Sequence, residues 1–182
     1  MTIVDHPLAS GTTHLAPTPV GFPATSAPEP SSPVELLRLA QAHGQLARRW
    51  HDQLVEAPSE RVYELVEWND SREVWVIHWP AGGHLELHDH GGSSGAFWVV
   101  AGTLDETSSA GGGSLRSHQV AEGGGAAFGP SYVHDVWNNG RTLATSVHAY
   151  SPPLAAMTFY EQSGGALVPH RVEHRTDPTW AP

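Results

Sequence analysis

Apolar residues between positions 33 and 53 recur at helical spacing: Leu36, Leu39, His43, Leu46 and Trp50 line one stripe. Ser32 followed by Pro33 reads as an N-cap and a first helical position. The pattern predicts a helix over about 33–53, its stripe laid on the main body and His43 packing there. From Arg61 onward the rhythm shortens. RVYELVEW, REVWVIHW, AFWVVAG, AAFG, VHDVWN and LATSVHAY are short and rich in β-formers, and Gly, Pro, Asn or Asp clusters separate many of them. Such a series predicts an all-β antiparallel sandwich or barrel. AMTFYE is a candidate further strand. GGGSLRSH and EGGGAAF read as turn or loop, and His170 and His174 fall in a polar tail. Residues 1–30, rich in Pro, Ala, Ser and Thr, read as a disordered segment ahead of one domain at 31–182.

Composition narrows the chemistry. The chain has 182 residues, 39% of them hydrophobic, with 19 glycines, 15 prolines and a net charge of −10. No basic run exists, which argues against nucleic acid and anionic membranes as partners. No cysteine is present, so disulfides, thiolate metal sites and cysteine nucleophiles are excluded. No lysine is present either; all nine basic residues are arginine, which rules out Schiff-base and Walker chemistry. Thirteen histidines remain. Reactions here must run on histidine, carboxylate, tyrosine, arginine or a metal. The first residues lack a basic, apolar leader pattern and no run approaches membrane-spanning length, so a cytoplasmic protein is expected.

The stretch LELHDHGGSSGAF places His88 and His90 two apart. On a strand both would face one side and could chelate one divalent ion. Gly82 precedes His88 with five residues between them, and Gly102 follows Gly95 with six between. Gly124 precedes Pro130 with five between, and His134 precedes Asn138 with three between. Residues 82–138 thereby resemble the two cupin motifs, G-x5-H-x-H-x(3,4)-E-x6-G and G-x5-P-x-G-x2-H-x3-N. That resemblance implies a cupin-type small β-barrel of jelly-roll form, with a metal at its mouth held by His88, His90 and His134. The motif's glutamate would fall at Ser94 or Gly95 and is missing, and Tyr132 replaces the second motif's glycine. Three neutral ligands leave a divalent charge uncompensated, which favours an anionic substrate.

Downstream, ATSVHAYSPPLAAM alternates Ser146, His148 and Tyr150, three groups that on one strand face can hydrogen-bond in line. With the HDH stretch and no glutamate ligand, residues 61–161 resemble the cysteine dioxygenase type I family of thiol dioxygenases. The resemblance implies iron(II), one per chain, and dioxygen as co-substrate. It implies oxidation of a small thiol, L-cysteine first, to its sulfinic acid, with Tyr150, oriented by His148 and Ser146, bonding sulfur or oxygen atoms. 3-Mercaptopropionate or another thiol carboxylate is the alternative substrate. A metal-binding cupin isomerase or a non-catalytic small-molecule-binding cupin is the alternative of another class. Animal members carry a cysteine that cross-links to the tyrosine; Gly95 holds that place here, so no thioether forms. The family's cysteine-selective members present an arginine well before the HDH, which suggests Arg61 as the carboxylate clamp, assisted by Tyr63. Arg72 is a substitute, and a plain solvated charge is the competing reading of Arg61. A monomer or small homo-oligomer is expected.

Other signals carry less. Gly91-Gly92-Ser93-Ser94-Gly95 satisfies G-x-S-x-G but precedes a strand, so it reads as a barrel turn and not a nucleophile elbow. Asp89 points away from its histidine neighbours and reads as structural. His78 and His84 line the barrel or face solvent. The tryptophans at 75, 79, 98 and 137 read first as core, with one or two walling the pocket.

Overall fold

Ser32 accepts a hydrogen bond from the Glu35 amide, and Glu35 reaches back to the Ser32 amide at 2.8 Å. This capping box, with Pro at the first turn, starts helix α1 (Pro33–Gln53). The computed structural model describes residues 29–54, 56–109, 114–176 and 182. The disordered segment expected at 1–30 lies almost wholly outside them.

Among the described residues eleven strands follow: β1 (Val62–Asn69), β2 (Arg72–Trp79), β3 (His84–His88), β4 (Ser94–Ala101), β5 (Thr103–Ser109), β6 (Arg116–Ala121), β7 (Gly125–Phe128), β8 (Val133–Trp137), β9 (Ala144–Ser151), β10 (Ala156–Ser163) and β11 (Ala166–His174). They form two antiparallel sheets, ordered β1-β2-β9-β4-β7 and β11-β10-β3-β8-β5-β6. The inner faces share one apolar core that includes Trp75, Ile77, Trp79, Phe97, Leu104 and Phe159. Among the described residues no helix is long and apolar enough to cross a membrane.

The helix covers the outer face of the five-stranded sheet. Leu36, Ala40 and Ala47 pack there on Val74, Val76, Ala96, Val147 and Ala149. Of the predicted stripe, Leu36 is fully buried and Leu39 and Trp50 pack on the same cluster, while Ala40 and Ala47 complete the buried line in place of His43 and Leu46. Small side chains let the helix approach closely; a Cβ at Gly44 would lie 3.7 Å from the Trp98 ring. His43 instead meets Glu67 at 3.1 Å. Because β9 is sandwiched between helix and core, all eight of its residues are buried.

Strands β5, β6 and β11 depart from the expectation, in which GGGSLRSH is turn or loop and His170 and His174 fall in a polar tail. Their alternation is concealed because polar groups occupy it. On β5 the inward positions are Leu104 and Glu106, and most of β11 is exposed. EGGGAAF likewise enters β7 at Gly125. A side chain at Gly125 would place its Cβ 2.2 Å from the Phe97 carbonyl oxygen, so glycine lets this strand pair with β4.

Candidate metal centre

His88 ends β3, and His134 stands directly opposite it on β8. Antiparallel pairing alone thus makes two imidazoles neighbours. His90 arrives differently from the expectation of one shared strand: it sits two residues beyond the end of β3, in a turn. Asp89 anchors that turn. Its Oδ1 accepts from the Gly91 and Thr158 amides at 3.0 Å each, and its Oδ2 accepts from the Tyr160 hydroxyl at 2.7 Å. Gly91 adopts φ 59°, and a Cβ there would lie 2.6 Å from the Ala156 carbonyl oxygen. Both conditions select glycine.

The three histidines are each 1% exposed, with ring centroids 4.8 to 5.1 Å apart. One nitrogen from each lies within 4.8 Å of the others. His88 donates Nδ1–H to the Glu86 carbonyl at 2.7 Å, which leaves Nε2 as its ligating atom. His134 Nε2 and both ring nitrogens of His90 are buried with no hydrogen-bond partner among the described residues. Unpartnered buried imidazole nitrogens are costly unless something binds them. Burial holds His88 and His90 well below the ordinary histidine pKa, and their neighbouring histidines push the same way. Neutral imidazoles facing one another are a donor set for a divalent metal. The residues fit such an ion, and no carboxylate among the described residues belongs to the cluster.

A carboxylate lies one residue back. Glu106 is fully buried, and its Oε1 is 2.6 Å from His134 Nδ1. The Tyr132 hydroxyl donates to the same oxygen at 3.1 Å. The exposed His118 ring stands 3.1 Å from Oε2. A carboxylate behind a ligating histidine fixes the ring's tautomer and orientation and supplies negative charge toward the ion. Sequence reasoning missed Glu106; the one available signal was the alternation of Leu104 and Glu106 within TLDETSS. The second-motif departure at Tyr132 is also resolved. Its ring stacks on Phe128 at 4.7 Å while its hydroxyl serves Glu106.

The β9 trio lies beside the cluster. The Ser146 hydroxyl is 2.8 Å from His148 Nε2, and His148 Nδ1 is 3.2 Å from the Tyr150 hydroxyl. Burial lowers the His148 pKa to about 3 and pushes the Tyr150 phenol up. Tyr150 stacks on the His90 ring at 5.2 Å. A Cβ at Gly95 would lie 2.4 Å from Phe128 Cε2 and 2.9 Å from Tyr150 Cδ1. Phe128 therefore fills the space where a cross-linking side chain would stand.

Arg61 directly precedes β1, with its Cζ 5.3 Å from the Trp79 ring and 6.0 Å from Tyr63. Its Nη1 is buried without a partner. Desolvation lowers its pKa, and its charge in turn depresses His88 and His148. Arg72, the substitute, donates to Glu67 at 2.7 Å instead. Tyr63 is partly exposed and meets Trp75 edge-on at 6.2 Å. His84 lies at the surface against Trp137, and His78 bonds Thr145, which also meets His51 of the helix. The G-x-S-x-G stretch leads from the turn straight into β4, as a barrel turn does.

A sequence profile described as cysteine dioxygenase type I matches residues 34–163. Among solved structures, the chain is similar to an uncharacterized conserved protein with a double-stranded β-helix domain from Klebsiella pneumoniae. That likeness has 20% identity and a TM-score of 0.51, covering 61% of this chain and 93% of that one. It is also similar to TT1209 from Thermus thermophilus, with 16% identity and a TM-score of 0.49, covering 57% of this chain and 94% of that one.

Two outcomes follow from this geometry. Glu106→Gln keeps the shape but loses the charge behind His134, and divalent metal affinity should fall roughly 10- to 100-fold in anaerobic Fe(II) titrations. Unchanged affinity would show that Glu106 merely packs. The second concerns acid. His88, His90 and His148 have folded-state pKa values below the ordinary 6.5, so the unfolded chain takes up protons first as pH falls. Their contribution to stability is complete above that value and is lost below it. Thermal melts of metal-free protein should show a Tm that drops steadily between about pH 6.5 and pH 5. A flat Tm across that window would contradict the neutral, buried assignment.

Proposed function

The chain belongs to the cysteine dioxygenase type I family, and on that premise we propose that it is a non-haem iron(II) thiol dioxygenase acting first on L-cysteine. One observation carries this reading: a cluster of three buried histidines, joined by no carboxylate among the described residues, with the Tyr150 ring stacked on His90. The reaction joins a thiol and dioxygen into a sulfinic acid. Both oxygen atoms end on sulfur, sulfur is oxidised as dioxygen is reduced, and the thiol hydrogen remains on the product. Iron(II), held by His88, His90 and His134, supplies the Lewis acidity that ionises a thiol and the redox capacity that dioxygen requires.

The protein's own groups do the rest. Arg61 offers a guanidinium near the cluster whose buried Nη1 has no hydrogen-bond partner among the described residues, suited to a carboxylate through paired hydrogen bonds. Tyr63 lies against it and assists. Trp79, Phe97 and Phe159 keep water from the interior. Tyr150 presents its hydroxyl beside His90, held by His148 and Ser146, where a sulfur or oxygen atom of the substrate would lie. 3-Mercaptopropionate shares the thiol and carboxylate of cysteine, so the same residues support it as the second substrate. A metal-binding cupin isomerase, or a small-molecule-binding cupin without chemistry, would use the same histidines and no dioxygen.

An oxygen electrode separates these readings. Iron-loaded protein should consume dioxygen on addition of L-cysteine and yield the sulfinate by mass spectrometry. Uptake with 3-mercaptopropionate but not cysteine would transfer the assignment to that substrate. Iron-loaded protein that consumes no dioxygen with any thiol would sink the oxygenase reading. Arg61→Ala should raise the KM for cysteine by roughly 10- to 100-fold while moving kcat less, and should leave cysteamine, which has no carboxylate, unaffected. An unaltered cysteine KM would remove Arg61 from the site.

A further inference from the structure

The trio on β9 has a fourth member. Trp79, fully buried on the neighbouring strand β2, points its Nε1 at the Ser146 hydroxyl at 2.8 Å. Register explains the meeting: Ile77 pairs with Ser146 across the ladder, and Trp79 stands two residues along on the same face. Ser146 is fully buried, and its side-chain hydrogen bonds among the described residues go to Trp79 and His148.

That fourth member gives the chain of bonds a direction. An indole N–H can only donate, so Ser146 accepts from Trp79. The serine proton then needs an acceptor, and His148 Nε2 is the one at hand. If His148 instead carried its proton on Nε2, the serine oxygen would accept twice and its own proton would be buried unbonded, which is costly. A neutral imidazole that accepts at Nε2 is protonated at Nδ1, and burial keeps His148 neutral. Nδ1–H therefore donates to the Tyr150 oxygen at 3.2 Å. The phenolic proton of Tyr150 has no acceptor left in this line.

We infer that Trp79, acting through Ser146, locks His148 as the Nδ1–H tautomer, so that Tyr150 turns its hydroxyl proton away from the chain of bonds and toward the histidine cluster. Trp79 is thus a positioning residue. What it positions is a hydrogen-bond donor for an atom bound at the cluster. Without the indole, Ser146 is free to rotate and the polarity of the whole line is free to reverse. The polarity itself stands on the distances among these four side chains; only its use toward a thiol rests on the proposed function.

The test reads the tautomer, not turnover. The full chain, labelled with 15N-histidine and treated with diamagnetic Zn(II), is measured by long-range 1H–15N NMR, with His148 assigned by its loss in His148→Asn. Wild type should show a protonated Nδ1 and an unprotonated Nε2 at His148. Trp79→Phe should swing the ratio toward Nε2–H by roughly five- to tenfold, the worth of one neutral hydrogen bond. His78, bonded to Thr145 toward the helix, should be unmoved. Should Trp79→Phe fail to fold, Ser146→Ala severs the same link and should produce the same swing. A wild-type His148 protonated at Nε2, or a ratio indifferent to both substitutions, would overturn the inference. The expected tautomers in a protein that oxidises no thiol would leave the inference intact and remove only the dioxygenase reading.

Discussion

Three imidazoles withdrawn from water, two of them with nitrogens that find no hydrogen-bond partner among the described residues, are the constraint on which this structure depends. Each such nitrogen gives up bonds to water on folding, and the protein returns none of them at His90 Nδ1, His90 Nε2 or His134 Nε2. The surrounding architecture tolerates this because it is stiff. The β3–β8 pairing, the Asp89-anchored turn and the aromatic walls of Phe128 and Phe159 hold the rings about 5 Å apart. A cation among them would convert the cost into bonds.

Charge is arranged in layers around that point. Imidazole donors bring no negative charge to an ion, so its charge would be undiminished at the coordination sphere. Glu106 answers it from behind His134, where the carboxylate is buried and bonded but not ligating. On the side of Trp79 and Tyr63 stands the guanidinium of Arg61. With an ion bound, the metal and Arg61 would be two cationic centres, set against the fully buried carboxylates Glu73 and Glu106.

Space is as deliberate as charge. Glycine at 95 permits Phe128 to lean across β4 toward Tyr150. The tyrosine is then held by a stacked histidine on one side and by the hydrogen-bonded line on the other, with no covalent tie. Phe128 also packs on Tyr132, which bonds Glu106, so aromatic packing and the carboxylate behind His134 belong to one connected group. A substitution in that group would disturb ring placement and charge together.

How much of this is legible in the chain follows from how local each feature is. Helix α1 and strand β2 are legible to their terminal residues, because capping signals and runs of apolar side chains are properties of short segments. Strands β5, β6 and β11 are not, since glutamate, serine and other polar groups occupy positions where apolar alternation would be sought. The HxH pair, His134 and the Ser-His-Tyr alternation carry their own spacing and stand out directly. Glu106, the indole of Trp79 and Phe128 have no such spacing and look ordinary where they stand. The β5–β8 register brings Glu106 to His134, β2–β9 brings Trp79 to Ser146, and β4–β7 brings Phe128 over Gly95. Residue type and short-range period pointed to an antiparallel β fold, and the resemblance to the cupin motifs singled out the three histidines. The charge, the donor and the ring that stand behind those histidines came only with folding, because cross-strand pairing between distant segments sets such neighbours.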